Sequence, residues 1–393
     1  MSLLVHGARK LDADGVVDGF WLLGGPEGIL EVGTGEGWRA RSAEVDTVAD
    51  AQGAWLTPGF LDLHCHGAGG SSFDDGADAI RSGLAVHRAH GTTRSVVSLV
   101  SAPLPALADS LSTVAELCGA DPLVIGAHLE GPFLSPGRRG AHDPAALRSP
   151  TPLVVAELLE AADGHLTQIT IAPELPGAPT AIEAFAAEGV IVAVGHTDAD
   201  LRATRDAFDR GARLVTHAFN AMPGIHHRSP GPLPAAFDDE RVVLELIVDG
   251  LHVDPSVVQL AFRAAPGRVA MVTDAMAAAG ASDGHYHLGS RDVDVREGRA
   301  VLEGTDTLAG STLTQDAALR IAVTECGIEP VEAIRALTRT PATVLRRHDL
   351  GLLRPGCAAD VVLLSPGFEM RGVAADGVWL TPPTQGISGT LQR

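Results

Sequence analysis

The chain has 393 residues, 45% of them hydrophobic and 20% charged, and a formal net charge of −20. That length accommodates one large domain with a smaller one, and the composition is that of a globular protein without an apolar run of membrane-spanning length. The acidic balance argues against a nucleic-acid or anionic-membrane partner, and any anionic substrate needs a local cationic pocket.

The opening stretch MSLLVHGARKLDADG turns polar within a few residues and carries no signal-peptide core, so a cytoplasmic location is expected. Residues 1–57 alternate short β-like pieces, LLVHGA, GFWLLGG and ILEVG, with Gly turns, and VVLLSPGFEMRGVAADGVWLTP near the other end reads the same way. A small β-sandwich domain formed from both termini, residues 1–57 plus 350–393, accounts for the two together. Residues 58–349 carry eight short apolar runs: GFLDLH (59–64), TRSVVSL (93–99), LVIGAHLE (123–130), TQITIAP (167–173), VIVAVGH (190–196), RLVTHAF (213–219), LELIVDG (244–250) and VAMVTDA (269–275). They are rich in Val and Ile and almost continuously apolar, as strands buried on both faces should be. Stretches such as 77–90, 144–162, 201–211 and 255–265 read as helices between them. Eight β–α alternations predict an α/β fold, a (β/α)8 TIM-like barrel. An open doubly wound sheet is the rival, but GAGGSS (67–72) lacks the dinucleotide-loop spacing and follows a pair of histidines. Four cysteines (Cys65, Cys118, Cys326, Cys357) form no CxxC pair, which fits a reducing compartment. Cys65 alternates away from its flanking histidines and reads as an inert buried thiol.

The strongest chemical signal is PGFLDLHCHG (58–67). Residues i and i+2 of a strand share a face, so His64 and His66 can turn to one metal at the end of the first strand, where barrel active sites are built. Two histidines at a strand end can equally be structural. Glu130 closing the third strand, His196 the fifth, His217 the sixth and Asp274 the eighth change that balance, because all lie at the same end of their strands. Imidazoles with a carboxylate suit a divalent metal, zinc first and iron second, with positions left for water. A metal there acidifies water, and Asp274 is placed to take its proton and return it to a leaving nitrogen. The alternative for Asp274 is a helix N-cap. Arg228 and His252, on loops after the sixth and seventh strands, offer donors for a phosphate, although each alone could be a surface or capping residue. Asn220 and Ala221 can hydrogen-bond a polar ligand, and His142 can reach the same mouth from the loop after the third strand. His226 and His227 read as solvated loop residues, and His128 as a buried, hydrogen-bonded histidine.

In order and spacing, HLEGPF, VGHTDA, THAFNAMPG, DGLHVDP and VTDAMAAAG, with PGFLDLHCHG before them, resemble the N-acetylglucosamine-6-phosphate deacetylase family of the amidohydrolase superfamily. The likeness runs from about residue 57 to 315 and implies hydrolysis of an amino-sugar phosphate to glucosamine 6-phosphate and acetate, in amino-sugar catabolism or cell-wall recycling. It implies Glu130, His196 and His217 as primary metal ligands and Asp274 as the acid/base. His142, Asn220, Ala221, Arg228 and His252 are the implied substrate contacts, with Leu308 or Ala309 of GTDTLAGSTLT lining the sugar. The residue matching Arg228 reaches the neighbouring subunit's site in this family, which implies a homodimer. Some members lack the first histidine of the opening pair and hold one metal; with His64 and His66 both present, the resemblance implies one or two ions per subunit. Lys10 is the only lysine, so no carboxylated lysine is available to bridge two metals, and the resemblance implies Glu130 in that place where a second ion is bound. Two other expectations stand beside this one: a deacetylase for N-acetylgalactosamine 6-phosphate or another N-acylated amino sugar, and a non-catalytic scaffold on the same fold. Scaffolds tend to lose ligands, and here none is missing.

Overall fold

The computed structural model describes residues 1–383 and 389–391, and the rest of the expected C-terminal segment lies outside the described residues. Eight parallel strands form the central sheet: β1 Phe60–Cys65, β2 Thr92–Val100, β3 Val124–Glu130, β4 Leu166–Ile171, β5 Ile191–Val194, β6 Leu214–Val215, β7 Val243–Ile247 and β8 Val269–Val272. They are hydrogen-bonded in sequence order, β1 to β8. β8 returns to β1 through two backbone bonds, Asp274 N–H to the His64 carbonyl (2.8 Å) and His66 N–H to the Ala275 carbonyl (2.7 Å). This is the expected (β/α)8 barrel. All residues of β5, β6 and β8 are buried, which explains why their sequences are apolar without alternation.

The expected strand ends need correction. β5, β6 and β8 stop at Val194, Val215 and Val272, so His196, His217 and Asp274 stand one residue beyond the strand's neighbour rather than within the ladder. All three have positive φ (47°, 26° and 48°), a conformation that cannot continue a strand. The helix expected over 144–162 is confined to Pro152–Ala161. Pro150 keeps Ser149 out of helical geometry, and Thr151 then caps the helix, its side chain accepting from Val154 N–H. Ala77–Ala89, Leu201–Asp209 and Pro255–Ala264 are helical as expected, the last two capped by Asp200 and Asp254.

Both termini build a mixed nine-stranded sheet. Trp55–Pro58 pairs antiparallel with Val361–Leu364 and parallel with Leu3–Asp12, which joins the two ends of the chain. Leu3, Val5, Leu22, Leu56, Val361 and Leu363 are central to the core beneath it. A three-stranded antiparallel sheet, Gly284–Leu288, Arg291–Arg296 and Arg299–Leu302, was not expected. Its second turn is Glu297–Gly298, both at positive φ, the geometry a two-residue hairpin demands. By contact density the chain divides into two compact units: Met1–Leu61 with His87–Arg94 and the chain from Gln315 on, and Asp62–Val86 with Ser95–Thr314. Among the described residues, no helix is long and apolar enough to cross a membrane.

Candidate metal centre and active site

Two groups of ligand-type atoms meet at Glu130. On one side are His64 and His66, whose Nε2 atoms lie 3.0 Å apart. His64 Nε2 is 3.5 Å from Glu130 Oε1 and 3.3 Å from Asp274 Oδ1, and His66 Nε2 is 3.2 Å from Glu130 Oε2 and 3.4 Å from Asp274 Oδ1. On the other side, His196 and His217 place their Nε2 atoms 3.0 and 2.9 Å from Glu130 Oε1 and 3.0 Å from each other. The five candidate ligand residues and Asp274 are buried.

The local backbone explains this convergence. At the ends of β5, β6 and β8 a left-handed residue turns the side chain from the barrel wall across the barrel mouth. Before His196 comes Gly195, where a Cβ would lie 2.6 Å from Thr216 Cβ and 2.9 Å from Thr170 Cγ2, so only glycine fits. Asp62, two residues before His64, accepts from His64 N–H (3.2 Å) and from the Thr273 hydroxyl (2.7 Å), holding β1 to β8 behind the site. No helix begins at Asp274, so the N-cap alternative is removed.

Several tautomers are set by neighbours. His196 Nδ1 is 2.8 Å from the Arg138 carbonyl, so Nδ1 carries the proton and Nε2 presents its lone pair. His64 Nδ1 faces Glu245 Oε2 at 3.3 Å, with the same result. His142 is reversed. Its Nδ1 accepts from Ser101 N–H (3.3 Å), so Nε2 donates to Glu130 Oε2 (3.2 Å) and has no lone pair for a metal. Although Glu130, His142 and His196 also cluster, that grouping is a hydrogen-bonded brace. His128 is engaged at both nitrogens, by Ser98 and Thr170 at 2.9 Å each.

Burial pushes the Glu130 carboxyl up, but the imidazoles of His64, His196 and His142 hold it well below the carboxylate range. Asp274 behaves likewise: burial opposes ionisation, while His64 and His66 bring it down to about 2. Burial depresses His64 and His66, yet the facing carboxylates win, raising His66 to about 9 and His64 well above its ordinary value. For His142, burial outweighs Glu130 and favours the neutral ring. Burial also drives the Cys65 thiol well up; its Sγ faces the Val96 carbonyl at 3.6 Å.

Above the cluster opens a pocket of about 340 Å³, lined by His66, Glu130, His142, His196, His217, Asn220, Ala221, His252, Asp274 and Leu308 among others. His252 Nδ1 is 2.6 Å from Asp249 Oδ2; burial lowers its affinity for a proton, but the Asp249 carboxylate raises it overall. Two expected residues are elsewhere. Ala309 is fully buried in the core of the three-stranded sheet, beside Met276 and Val293, because adjacent extended residues point to opposite sides and Leu308 takes the pocket side. Arg228 is exposed, as are His226 and His227, and does not line the pocket. The sequence reading missed Arg138, the one guanidinium among the lining residues, as well as Leu288 and Thr307. It also missed Asp62 and Glu245. A carboxylate inside an apolar strand, as in VVLELIV, was the signal for the latter.

The donor set fits a divalent metal. Tetrahedral zinc with ligand bonds near 2.05 Å keeps its ligand atoms ~3.3 Å apart, and the contacts around Glu130 span 2.9 to 3.5 Å. Among the described residues, His66 Nδ1 and His217 Nδ1 are buried without a hydrogen-bond partner, so a metal at Nε2 would be what fixes their tautomers.

Residues 55–383 match the model of the amidohydrolase family. The chain is 37% identical over 336 residues to N-acetylgalactosamine-6-phosphate deacetylase of Escherichia coli O157:H7, covering 84% of this chain and 89% of that one. It is 35% identical over 352 residues to human N-acetylglucosamine-6-phosphate deacetylase, covering 85% and 86%. Among solved structures, N-acetyl-D-glucosamine-6-phosphate deacetylase of Mycobacterium smegmatis, a variant in complex with N-acetyl-D-glucosamine-6-phosphate, superposes with a TM-score of 0.90 at 39% identity, covering 97% of this chain and 99% of that one. The enzyme of the same name from Pasteurella multocida gives 0.91 at 29%, covering 96% and 99%.

Proposed function

The chain belongs to the amidohydrolase family, and on that premise we infer that it is a metal-dependent amide hydrolase acting on N-acetylglucosamine 6-phosphate. It releases acetate and glucosamine 6-phosphate, a step of amino-sugar catabolism or of cell-wall recycling. The observation that carries this reading is the convergence of His196, His217 and Asp274 on Glu130 at the foot of one pocket.

A divalent metal held by Glu130, His196 and His217 supplies Lewis-acid chemistry, lowering the pKa of water and polarising an acetyl carbonyl. Asp274, open to the pocket beside the ligand cluster, is the base that accepts the proton from attacking water and hands it to the leaving nitrogen. Asn220, the Ala221 backbone, His142, His252 and Leu308 orient the sugar, and Arg138 and His252 offset the substrate's charge inside an acidic protein. His64 and His66, with Glu130, would hold a second ion. Zinc is the proposed metal and iron the alternative.

Arg228 is exposed on its loop, which supports a role at a neighbouring subunit's site in a homodimer. The proposed catalytic barrel comprises 58–349 and the smaller domain 1–57 plus 350–393. The proposed compartment is the cytoplasm, where free thiols such as those of Cys65 and Cys326 stay reduced. A second reading, preference for the 4-epimer, is favoured by the 37% identical relative named for N-acetylgalactosamine 6-phosphate.

One experiment addresses both: acetate release from each sugar phosphate by the native enzyme and by Asp274→Asn, with elemental analysis of the same samples. The expected result is a higher kcat/KM for the gluco epimer, and a variant that keeps its metal while losing about 10²–10⁴ in rate. A reversed ratio selects the second reading, and near-native activity in the variant removes Asp274 as the base.

A further inference from the structure

Glu245 is a charged residue in the middle of β7, flanked by Leu244 and Leu246, and it has no exposed surface. Strand alternation sends those leucines to one side and Glu245 into the barrel. There its Oε1 accepts from Gln168 Nε2 at 2.8 Å, while Oε2 lies 3.3 Å from two donors, His64 Nδ1 and the backbone N–H of His217. One carboxylate oxygen therefore touches a residue from each side of Glu130. Towards His64 it fixes the proton on Nδ1 and leaves the Nε2 lone pair facing Glu130 and Asp274. Towards His217 it anchors the backbone of a left-handed residue whose Nε2 stands 2.9 Å from Glu130 Oε1.

We propose that Glu245 is a positioning residue shared by both metal subsites, orienting His64 for one ion and His217 for the other. The inference rests on the two-ion reading above. It requires an acceptor at this reach rather than a charge. Gln168 Oε1 is buried without a partner, so its amide can turn to accept from a glutamine at 245, whose own carbonyl then takes the place of Oε2. An aspartate keeps the charge but is one methylene short of both donors.

The test is zinc titration of the chelator-stripped full chain, with competition by a chelator of known affinity, for native protein and E245L, E245Q and E245D. Native protein should bind two zinc ions. E245L and E245D should bind both about 10- to 100-fold more weakly, the usual effect of losing such a partner, and E245Q should stay within about threefold of native. If E245L does not accumulate folded, E245D carries the same comparison. Two native ions with unchanged affinity in E245D overturn the inference alone, as does E245Q binding as weakly as E245D. A single native ion, with His64 and His66 unused, overturns the two-ion reading and this inference with it.

Discussion

Loading the metal centre at neutral pH must expel protons from it. Before metal binds, His66 titrates at about 9 and His64 well above its ordinary value, because Glu130 and Asp274 face both rings. Two units below its pKa a group is about 99% protonated, so His66 holds its proton at pH 7, yet it must be neutral to bind a metal. The two Nε2 atoms are 3.0 Å apart, and two protons held there repel. The expected release on filling the His64–His66 subsite is therefore between one and two protons. Each displaced proton weakens apparent affinity about tenfold per pH unit of acidification, so binding should tighten roughly 10- to 100-fold from pH 7 to 8. Calorimetric titration of zinc into stripped protein, in two buffers differing in ionisation enthalpy, counts the protons directly. The same shift bears on stability. His66 is more basic folded than unfolded, so its contribution to the metal-free fold is present below about 6.5 and is lost as pH rises through about 9. No proton release at pH 7, or an affinity flat between pH 7 and 8, would refute the electrostatic account of the pair.

A methyl group at Gly195 would meet Thr216 and Thr170 closer than any real contact, so Gly195→Ala should cost about 1–3 kcal/mol by overpacking; unaltered denaturant unfolding would show that β5 has room to move. Arg228→Ala should raise KM for the phosphorylated substrate about tenfold or more, the value of a charged hydrogen bond, while leaving unphosphorylated N-acetylglucosamine unaffected. Sedimentation at working concentration should show a dimer, and a fully active monomer would sink the intersubunit role.

The barrel was legible because its strands are buried on both faces, and eight apolar runs of Val and Ile cannot be read as anything that alternates. The candidate ligand residues stood out because each lies within two residues of the end of such a run. What was not legible depends on contacts between distant segments. Nothing local separates Leu308 from Ala309; their assignment comes from the Val301–Leu308 bridge and the core of the three-stranded sheet. Arg138 sits in a loop whose carbonyl meets His196 only after folding. His142 is ligand-like by type and position, and only the Ser101 N–H at its Nδ1 removes it from the ligand set.

The positive φ at His196, His217 and Asp274 is the part of the design that sequence conceals most fully, and it bears on how the site works. In an extended conformation these residues would continue the barrel wall, with side chains alternating between the interior and the surrounding helices. A left-handed turn aims all three inward over Glu130, from the neighbouring strands β5 and β6 and from β8. Each such residue costs roughly 1–3 kcal/mol of backbone strain. The hydrogen bonds that oppose it are specific: Asp274 N–H to the His64 carbonyl, His217 N–H to the Glu245 carboxylate, and Asn220 N–H to the His217 carbonyl. The Asp274–His64 bond that closes the barrel between β8 and β1 therefore also holds the proposed base against the proposed His64–His66 pair. Barrel closure and the proposed catalytic geometry then rest on the same bonds, and loosening the β1–β8 seam should disturb Asp274 before it unfolds the sheet.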